Sequence, residues 1–367
     1  MMPQRHASRL AIGSGLLLLA GAAAEAGAGA APWATLPAQA PLKLDDLRTP
    51  TSPGFVMLGV EPTAVERPSD PKAIALSLLS ATQSGDLIPR NYAIEVAPYW
   101  LTGHPTLTFD GYYKAKLGQT LLQTLSISLA TSKDSTAIDS VASGTRIGVG
   151  VRTLLVAGRA NPALAEKVAQ LRVLQDSVLA TDSPEVEDSL TKRLQQIALA
   201  IQGLDKERVG WRVEMAGGLA AAFPEDNFSR LVVSRIGVWV TPSYRPVGDS
   251  LDFIGVGRFI RALNDSVNAT LLDLGGRVRW QTGRVLLSTE FVHRTRTGTS
   301  GPGGSSIRLV GDLEYRVSDQ MAITASFGKN YDQGVRTGQT LVSIIGVNFG
   351  LGPVPGLCLS TTCAKPQ

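Results

Sequence analysis

Apolar and polar side chains alternate along the last third of the chain, in segments of about ten residues separated by short turns rich in Gly, Asp and Ser. In two segments the alternation is strict, with one parity apolar and the other polar: Leu272, Leu274, Val278 and Trp280 against Asp273, Arg277, Arg279 and Gln281, and Ile307, Leu309, Leu313 and Tyr315 against Arg308, Asp312, Glu314 and Arg316. Successive side chains of a strand point to opposite faces. The pattern therefore predicts β-strands with one apolar and one charged face.

The same pattern, kept less strictly, extends back to Tyr92 and predicts an all-β fold of eleven visible strands. They cover 92–101, 119–131, 144–157, 210–223, 230–244, 251–263, 270–281, 284–294, 306–317, 321–329 and 340–350. The alternation is blurred between Leu251 and Leu263, where a bulge or a packed lumen face would mix the two parities.

Residues 1–30 have the organisation of a cleaved signal peptide. Arg5 and Arg9 precede an apolar run from Leu10, and the small residues that follow offer cleavage after Ala24 or Ala30. The run is too short for a membrane-spanning helix, which needs about 20 residues. We therefore expect export, with an uncleaved anchor as the alternative.

Export leaves two destinations for the strands, the periplasm or a membrane. No later stretch approaches 20 apolar residues, so the chain would enter a membrane only as strands. Many of the 38 glycines lie in strand-like runs such as 147–151, where they would weaken a soluble sheet but would permit the coiling of a barrel wall. We favour a transmembrane antiparallel β-barrel of about 12 strands over a soluble sandwich.

Turn lengths predict the orientation of such a barrel. The connections at Thr282-Gly283 and 318–320 are the shortest, and the glycine-rich segment 295–305 lies between them. Short turns are typically periplasmic, so the last strand would run inward and end at the aromatic Phe349. With these features the chain from Tyr92 to Phe349 resembles bacterial outer-membrane β-barrel proteins of a porin-like class. The resemblance implies insertion in the lipid of the outer membrane of a Gram-negative-type bacterium.

An even strand number is typical of such barrels, so one strand is missing from the eleven. The N-terminal region 31–90 is a periplasmic lead-in in which Gly54–Val60 is the leading candidate for that strand. The rival interpretation is that this region passes through the lumen as a plug. A short helix is also predicted after Asp70-Pro71, and 351–367 form a C-terminal tail.

Residues 161–205 interrupt the barrel region 91–350 with a predicted helical hairpin. Asn161-Pro162 and Ser183-Pro184 each place a capping residue before a proline at the first helical position, and apolar residues follow at helical spacing. The hairpin would lie on the periplasmic side, where it could cap the pore, enter the lumen or bind a periplasmic protein partner. The alternative is that its two apolar stripes bury each other.

The charged side chains on one face of the predicted strands are the candidate functional residues. We expect the following side chains to line the lumen: Arg146, Arg152, Arg212, Glu214, Asp273, Arg277, Arg279, Glu290, Arg308, Asp312, Glu314 and Arg316. A water-filled lumen with this excess of arginine would favour anions, whereas a packed lumen would use the same residues as cross-strand ion pairs. The first case predicts a channel or transporter for small solutes, and the second a closed structural or docking barrel whose hairpin binds a partner.

Other chemistry is not expected. The three histidines, His6, His104 and His293, offer no base beside a nucleophile, so an enzyme is the least favoured class. No glycine motif lies at a strand-to-helix turn, which argues against a nucleotide cofactor. Cys358 and Cys363 match no zinc spacing; they are a candidate disulfide or a pair of free thiols. The net charge of +4 arises mostly within the strands, which does not indicate nucleic-acid binding. The sequence leaves the oligomeric state open.

Overall fold

The structure is a computed structural model that describes residues 42–43, 52–58, 64–68, 92–101, 107–134, 144–204, 208–227, 229–248, 250–263, 269–298, 304–318, 321–329, 341–351 and 356–359. The predicted signal peptide, the helix predicted after Asp70-Pro71, His104 and Cys363 lie outside these residues.

Strands dominate the described part of the chain. They are β1 Leu42–Lys43, β2 Ala64–Pro68, β3 Tyr92–Val96, β4 Ser126–Asp134, β5 Gly144–Arg159, β6 Val209–Pro224, β7 Val232–Arg245, β8 Leu251–Ala262, β9 Ala269–Thr282, β10 Val285–Gly298, β11 Gly304–Ser318, β12 Met321–Lys329, β13 Leu341–Leu351 and β14 Gly356–Leu357. From β5 to β13 every strand begins and ends within four residues of its predicted bounds. The prediction of an all-β, mostly antiparallel fold is confirmed.

Twelve of these strands form one sheet, in the order β10-β11-β12-β13-β2-β3-β4-β5-β6-β7-β8-β9. Since β9 also pairs with β10, the order of pairing returns to its starting strand. The two short strands β1 and β14 pair only with each other. Every pairing in the large sheet is antiparallel except the two that β2 makes, with β13 and with β3.

The strand missing from the sequence prediction is β2, and the prediction of a strand at Gly54–Val60 is wrong. Residues Pro53–Leu58 form a helix instead, and β2 begins at Ala64. Because strands β3 to β13 alternate in direction, β3 and β13 run the same way, so a strand between them has the same relation to both; β2 runs parallel to both. Parallel neighbours need a long crossover, and residues 69–91 supply the connection from β2 to β3.

Six helices are described: α1 Pro53–Leu58, α2 Pro98–Leu101, α3 Phe109–Tyr113, α4 Leu117–Thr124, α5 Pro162–Leu179 and α6 Pro184–Gly203. The predicted hairpin is confirmed as α5 and α6, and the Asn161 side chain caps α5 by accepting from the backbone N–H of Ala163 at 3.1 Å. Two predicted strands were too long. The one at 92–101 ends at Val96, before the proline that opens α2, and the first half of the one at 119–131 is α4.

Because the strands alternate in direction, successive connections lie at opposite ends of the sheet. We call these two ends the helical end and the loop end. The helical end carries α2–α4, the α5–α6 hairpin and three short connections, at 246–250, 283–284 and 319–320. In the two-residue turn at 283–284, Gly283 has φ +53°, the left-handed conformation that such hairpins need. The loop end carries connections 135–143, 225–231, 263–268, 299–303 and 330–340. The predicted long loop at 295–305 is therefore shorter, because β10 and β11 extend into it.

Candidate functional site

The two faces of the large sheet differ sharply in character. One, which we call the exposed face, carries large apolar side chains open to the surroundings, among them Leu274, Phe291, Leu309 and Ile345. The other, the buried face, carries the charged parity of the strands. All twelve predicted lumen-lining residues lie on the buried face and are buried or half-buried. A water-soluble sheet distributes its side chains in the opposite way.

Asp252 on β8 is the centre of the first charged cluster on the buried face. Its carboxylate is 0% exposed and lies 3.5 Å from Arg212 on β6 and 3.5 Å from Arg245 on β7. It also accepts a hydrogen bond of 2.6 Å from Arg279 Nε on β9. Three guanidinium groups from three strands thus surround one fully desolvated carboxylate, which compensates for its burial.

Asp273 on β9 is the centre of the second cluster. It is also 0% exposed, and it lies directly opposite Arg258 on β8 and Arg294 on β10 in the strand register. Arg258 Nε donates to it at 2.7 Å, and Arg294 donates from Nε at 2.7 Å and from Nη2 at 2.9 Å. The fork-like geometry of the Arg294 contact is the strong, orientation-specific form of an ion pair.

A third network links β9 to β12. Arg277 donates to Glu290 at 2.6 Å and lies 3.4 Å from Asp312. Glu290 also accepts from Arg308 at 2.9 Å, and Asp312 accepts from Ser326 at 2.6 Å. Arg316 and Glu314, at the helical end of β11, are 3.5 Å apart.

A fourth cluster lies on the opposite part of the sheet, between β3 and β6. Arg152 forms a close ion pair with Glu95 and lies 3.9 Å from Glu214. Ser126 donates to Glu95 at 2.8 Å and accepts from Arg152 Nε at 3.0 Å. The residues predicted for the lumen from scattered strands are therefore gathered by the fold into compact ion-pair clusters.

Several members of these clusters were not predicted. Asp252 and Arg258 lie in β8, whose parity is blurred because Ile260 shares the buried face with them and packs in the apolar core. A packed face, and not a bulge, explains that blurring. Arg294 was placed at the end of a predicted strand that in fact continues to Gly298, and Glu95 lies in a strand too short to show a parity.

The helical end holds a separate layer of packed side chains. Arg208 is 1% exposed and lies over the rings of Tyr112 and Tyr113, 4.2 and 4.7 Å from their centroids. The C-terminal segment joins this layer, because Cys358 donates to the Leu107 carbonyl at 2.9 Å. Cys358 is disulfide-bonded, and the chain has one other cysteine.

The hairpin is attached to this layer at its base. Arg172 on α5 forms a close ion pair with Asp110 on α3 and donates to the Leu359 carbonyl at 3.3 Å. The Arg172 guanidinium, together with Lys114, lowers the pKa of the Asp110 carboxyl. The apolar stripes of the two helices bury each other near the base, through Leu164, Val168, Leu171, Leu194 and Ile201. Toward the tip, Val173, Leu179 and Val186 are exposed.

Among the described residues, no group of three or more His, Cys, Asp or Glu side chains is placed to hold a metal ion. No described helix is long and apolar enough to cross a membrane. His293 is exposed beside Phe291 on the exposed face. The chain matches no protein-family model and no curated protein.

Proposed function

We propose that this protein is an integral outer-membrane β-barrel whose interior passes small anionic solutes. The observation that carries the proposal is the inverted distribution of side chains, apolar on the exposed face and charged on the buried face. Lipid is the one biological solvent that favours such an exterior, and a polar lumen is the usual interior of these barrels. In the order of pairings, every strand of the large sheet has a neighbour on both sides, as is needed in a membrane, where open sheet edges do not occur.

The height of the apolar band supports this location. On four strands, the apolar side chains of the exposed face extend over the same eight residue steps: Trp211–Leu219, Ile236–Tyr244, Leu272–Trp280 and Ile307–Tyr315. Eight steps of about 3.3 Å span about 26 Å along a strand. At a strand tilt of about 40° the band is about 20 Å tall, close to the roughly 25 Å of outer-membrane barrels.

Aromatic residues mark one border of the band. Trp211, Tyr244, Trp280 and Tyr315 all lie within three residues of the helical end of their strands and are exposed. The Trp211 and Tyr244 rings are in contact, with centroids 5.2 Å apart. Aromatic girdles of this kind lie at the level of the lipid headgroups. We propose that the helical end, with its short turns, faces the periplasm.

The charge of the buried face supports a preference for anions. Among the strand residues whose side chains are described, it carries twelve arginines, Arg146, Arg152, Arg212, Arg235, Arg245, Arg258, Arg277, Arg279, Arg294, Arg296, Arg308 and Arg316, against seven carboxylates, Glu95, Glu214, Asp252, Asp273, Glu290, Asp312 and Glu314. A low-dielectric wall focuses the field of such an excess and raises the local concentration of anions.

The test is the reversal potential of the full chain in planar bilayers under a KCl gradient. The triple variant Arg212→Gln, Arg277→Gln, Arg294→Gln removes three positive charges and leaves each affected carboxylate with another partner. Asp252 keeps Arg279, Glu290 keeps Arg308, Asp273 keeps Arg258, and Asp312 keeps its hydrogen bond from Ser326. We expect wild type to prefer chloride and the triple variant to shift toward potassium. Arg193→Gln on the exposed side of α6 is the matched control and should change nothing. Equal selectivity in all three proteins would contradict an anion-conducting interior.

A docking protein is the second candidate, and the exposed tip of the hairpin favours it. Leu179 and Val186 present apolar side chains to solvent at the end of a helix pair that is attached at its base. Absence of conductance in a correctly inserted protein, whether intact, after removal of 162–203 or with helix α1 displaced from the sheet, would favour docking over transport.

A further inference from the structure

The helix α1 occupies an unusual position, because it packs on the buried face of the sheet and not on its rim. It contacts β4, β5, β6 and β7. Met57 is 0% exposed and Leu58 is nearly so, and both belong to an apolar cluster with Ala130, Ala216, Ala220, Trp239 and Ile260. In the proposed barrel, α1 therefore lies inside the lumen, on the wall opposite the Asp273 and Glu290 networks.

Glycines form the seat of this helix. A Cβ added to Gly148 would lie 2.3 Å from the Gly54 carbonyl oxygen, and one added to Gly150 would lie 2.6 Å from Pro53 Cβ. At both positions the three nearest atoms all belong to α1. The side chains of two neighbouring β5 positions have thus been omitted where the helix backbone touches the wall.

The seat is reciprocal on the side of the helix. A Cβ at Gly54 would lie 2.9 Å from the Gly148 carbonyl oxygen and 3.0 Å from Ala130 Cβ. The Gly54 amide donates to Ser128 Oγ at 2.7 Å, and Ser128 in turn donates to the Gly150 carbonyl at 3.3 Å. One serine on β4 therefore connects the helix to the wall strand beneath it.

The helix depends on this seat for its existence. A helix of six residues is far below the roughly 12–15 residues at which isolated helices become marginally stable. Its chain then enters the wall as β2, a strand of five residues that pairs with only three residues of β3. An element held by a short contact surface can leave it and lose its structure without unfolding the long antiparallel strands.

We propose that α1 is a displaceable plug that is seated on Gly148 and Gly150 and that its docking limits conductance through the barrel. This inference rests on the proposed function, since a plug needs a lumen to close. The inference goes further than the proposed function because it names the element that occludes the lumen and the glycines on which that element sits. It also predicts that filling this seat raises the conductance.

The experiment enlarges the seat from the wall side. In the double variant Gly148→Ala, Gly150→Ala, each new methyl group meets α1 first, so the helix is expelled while β5 keeps its backbone pairs. We expect higher conductance in planar bilayers than for wild type. Gly311→Ala on β11 is the matched control, because a Cβ added at Gly311 would lie 3.8 Å from its nearest neighbouring atom. The conductance of this variant should equal that of wild type.

A second readout follows α1 directly. Met57→Cys is introduced into both backgrounds, and its reaction with a water-soluble maleimide is measured in vesicles without reductant, with the chain lacking this substitution as the baseline. We expect Met57→Cys to be protected in the wild-type background and labelled in the double variant. If the double variant fails to give β-sheet circular dichroism, Met57→Ala replaces it, with Leu58→Cys as the labelled position.

The outcomes separate the plug from the barrel itself. A wild-type chain that does not insert into vesicles contradicts the proposed function. A chain that inserts, folds and keeps both its conductance and its protection after the seat is filled contradicts only the plug. Labelling that increases while conductance stays constant also overturns the plug, because α1 would then leave without opening a path.

Discussion

An arginine placed in the middle of the apolar band gives the clearest energetic test of a lipid-facing surface. Val240 lies at the midpoint of the Ile236–Tyr244 segment of β7 and is 42% exposed. On the outer face of a membrane barrel, arginine at mid-bilayer costs about 2–4 kcal/mol. The same substitution on a water-exposed surface changes the free energy of unfolding by only about 0.5 kcal/mol. The two environments therefore predict effects that differ by several-fold in free energy.

The same strand supplies a matched control. Val233 is 40% exposed and lies seven residues away, at the loop end of β7 and outside the band. The bulge in β7 at Ser234 keeps Val233 on the exposed face, opposite Ala221. We expect Val233→Arg to cost about 0–1 kcal/mol, as arginine does near the membrane interface. Since 1.4 kcal/mol is tenfold in an equilibrium constant, Val240→Arg should lower the folding constant by about 30- to 700-fold.

The measurement is a urea titration of folding in lipid vesicles, followed by circular dichroism for wild type and both variants. A loss confined to Val240→Arg supports a lipid-facing band. Equal effects at the two positions, or no effect at either, would contradict a cost of arginine that depends on its depth in the bilayer.

Asp252→Asn leaves three guanidinium groups around a neutral amide, so we expect about 3–5 kcal/mol of the free energy of unfolding to be lost in the same titration; an unchanged value would show that the cluster is not stabilising. The lowered pKa of Asp110 means that its bond to Arg172 stabilises the hairpin base above the ordinary pKa of 3.8 and is lost as the pH falls through the lowered folded-state value. Hydrogen exchange in the hairpin, corrected for intrinsic rates, should accelerate in that acid range for wild type but not for Asp110→Asn. Leu194→Ala removes a side chain buried between α5 and α6 and should cost about 2–5 kcal/mol locally, seen as faster proteolysis within the hairpin while the sheet signal persists.

The strands that the sequence predicted well are those in which both faces have a consistent environment. In the middle of β9 and β11 the exposed face is apolar and most side chains of the buried face are charged or polar, so a period of two is visible. The hairpin was equally legible, because Asn161 and Ser183 each precede a proline and a helical repeat. Local chemistry alone determined these elements.

The elements that were missed depend on distant contacts. The run Gly54–Val60 is short and apolar, and such a run does not distinguish a strand from a buried helix; its helix forms against residues 130, 148 and 150, far along the chain. Glycine in β5 was interpreted as an aid to strand coiling, whereas Gly148 and Gly150 make room for α1. Strand β2 ends in a proline and pairs in parallel with its neighbours. The sequence therefore showed neither the alternation nor the hairpin turn by which the other strands were predicted.

The charged clusters were half predicted for a related reason. Parity placed Arg277, Glu290 and Arg308 on one face, and the structure brings them into direct contact. Parity does not give register, however, and it was the register of β8, β9 and β10 that placed Asp273 between Arg258 and Arg294.

A spin-label scan along β11 tests the central claim most directly. Single cysteines from Ile307 to Tyr315 would carry a nitroxide in protein that is inserted into vesicles, and collision with oxygen, which concentrates in lipid, would be compared with collision with a water-soluble nickel chelate. We expect a period of two, in which 307, 309, 311, 313 and 315 collide with oxygen and 308, 310, 312 and 314 do not. Equal access of the nickel chelate to Leu309 and Leu313 and to their neighbours would contradict an outer-membrane barrel.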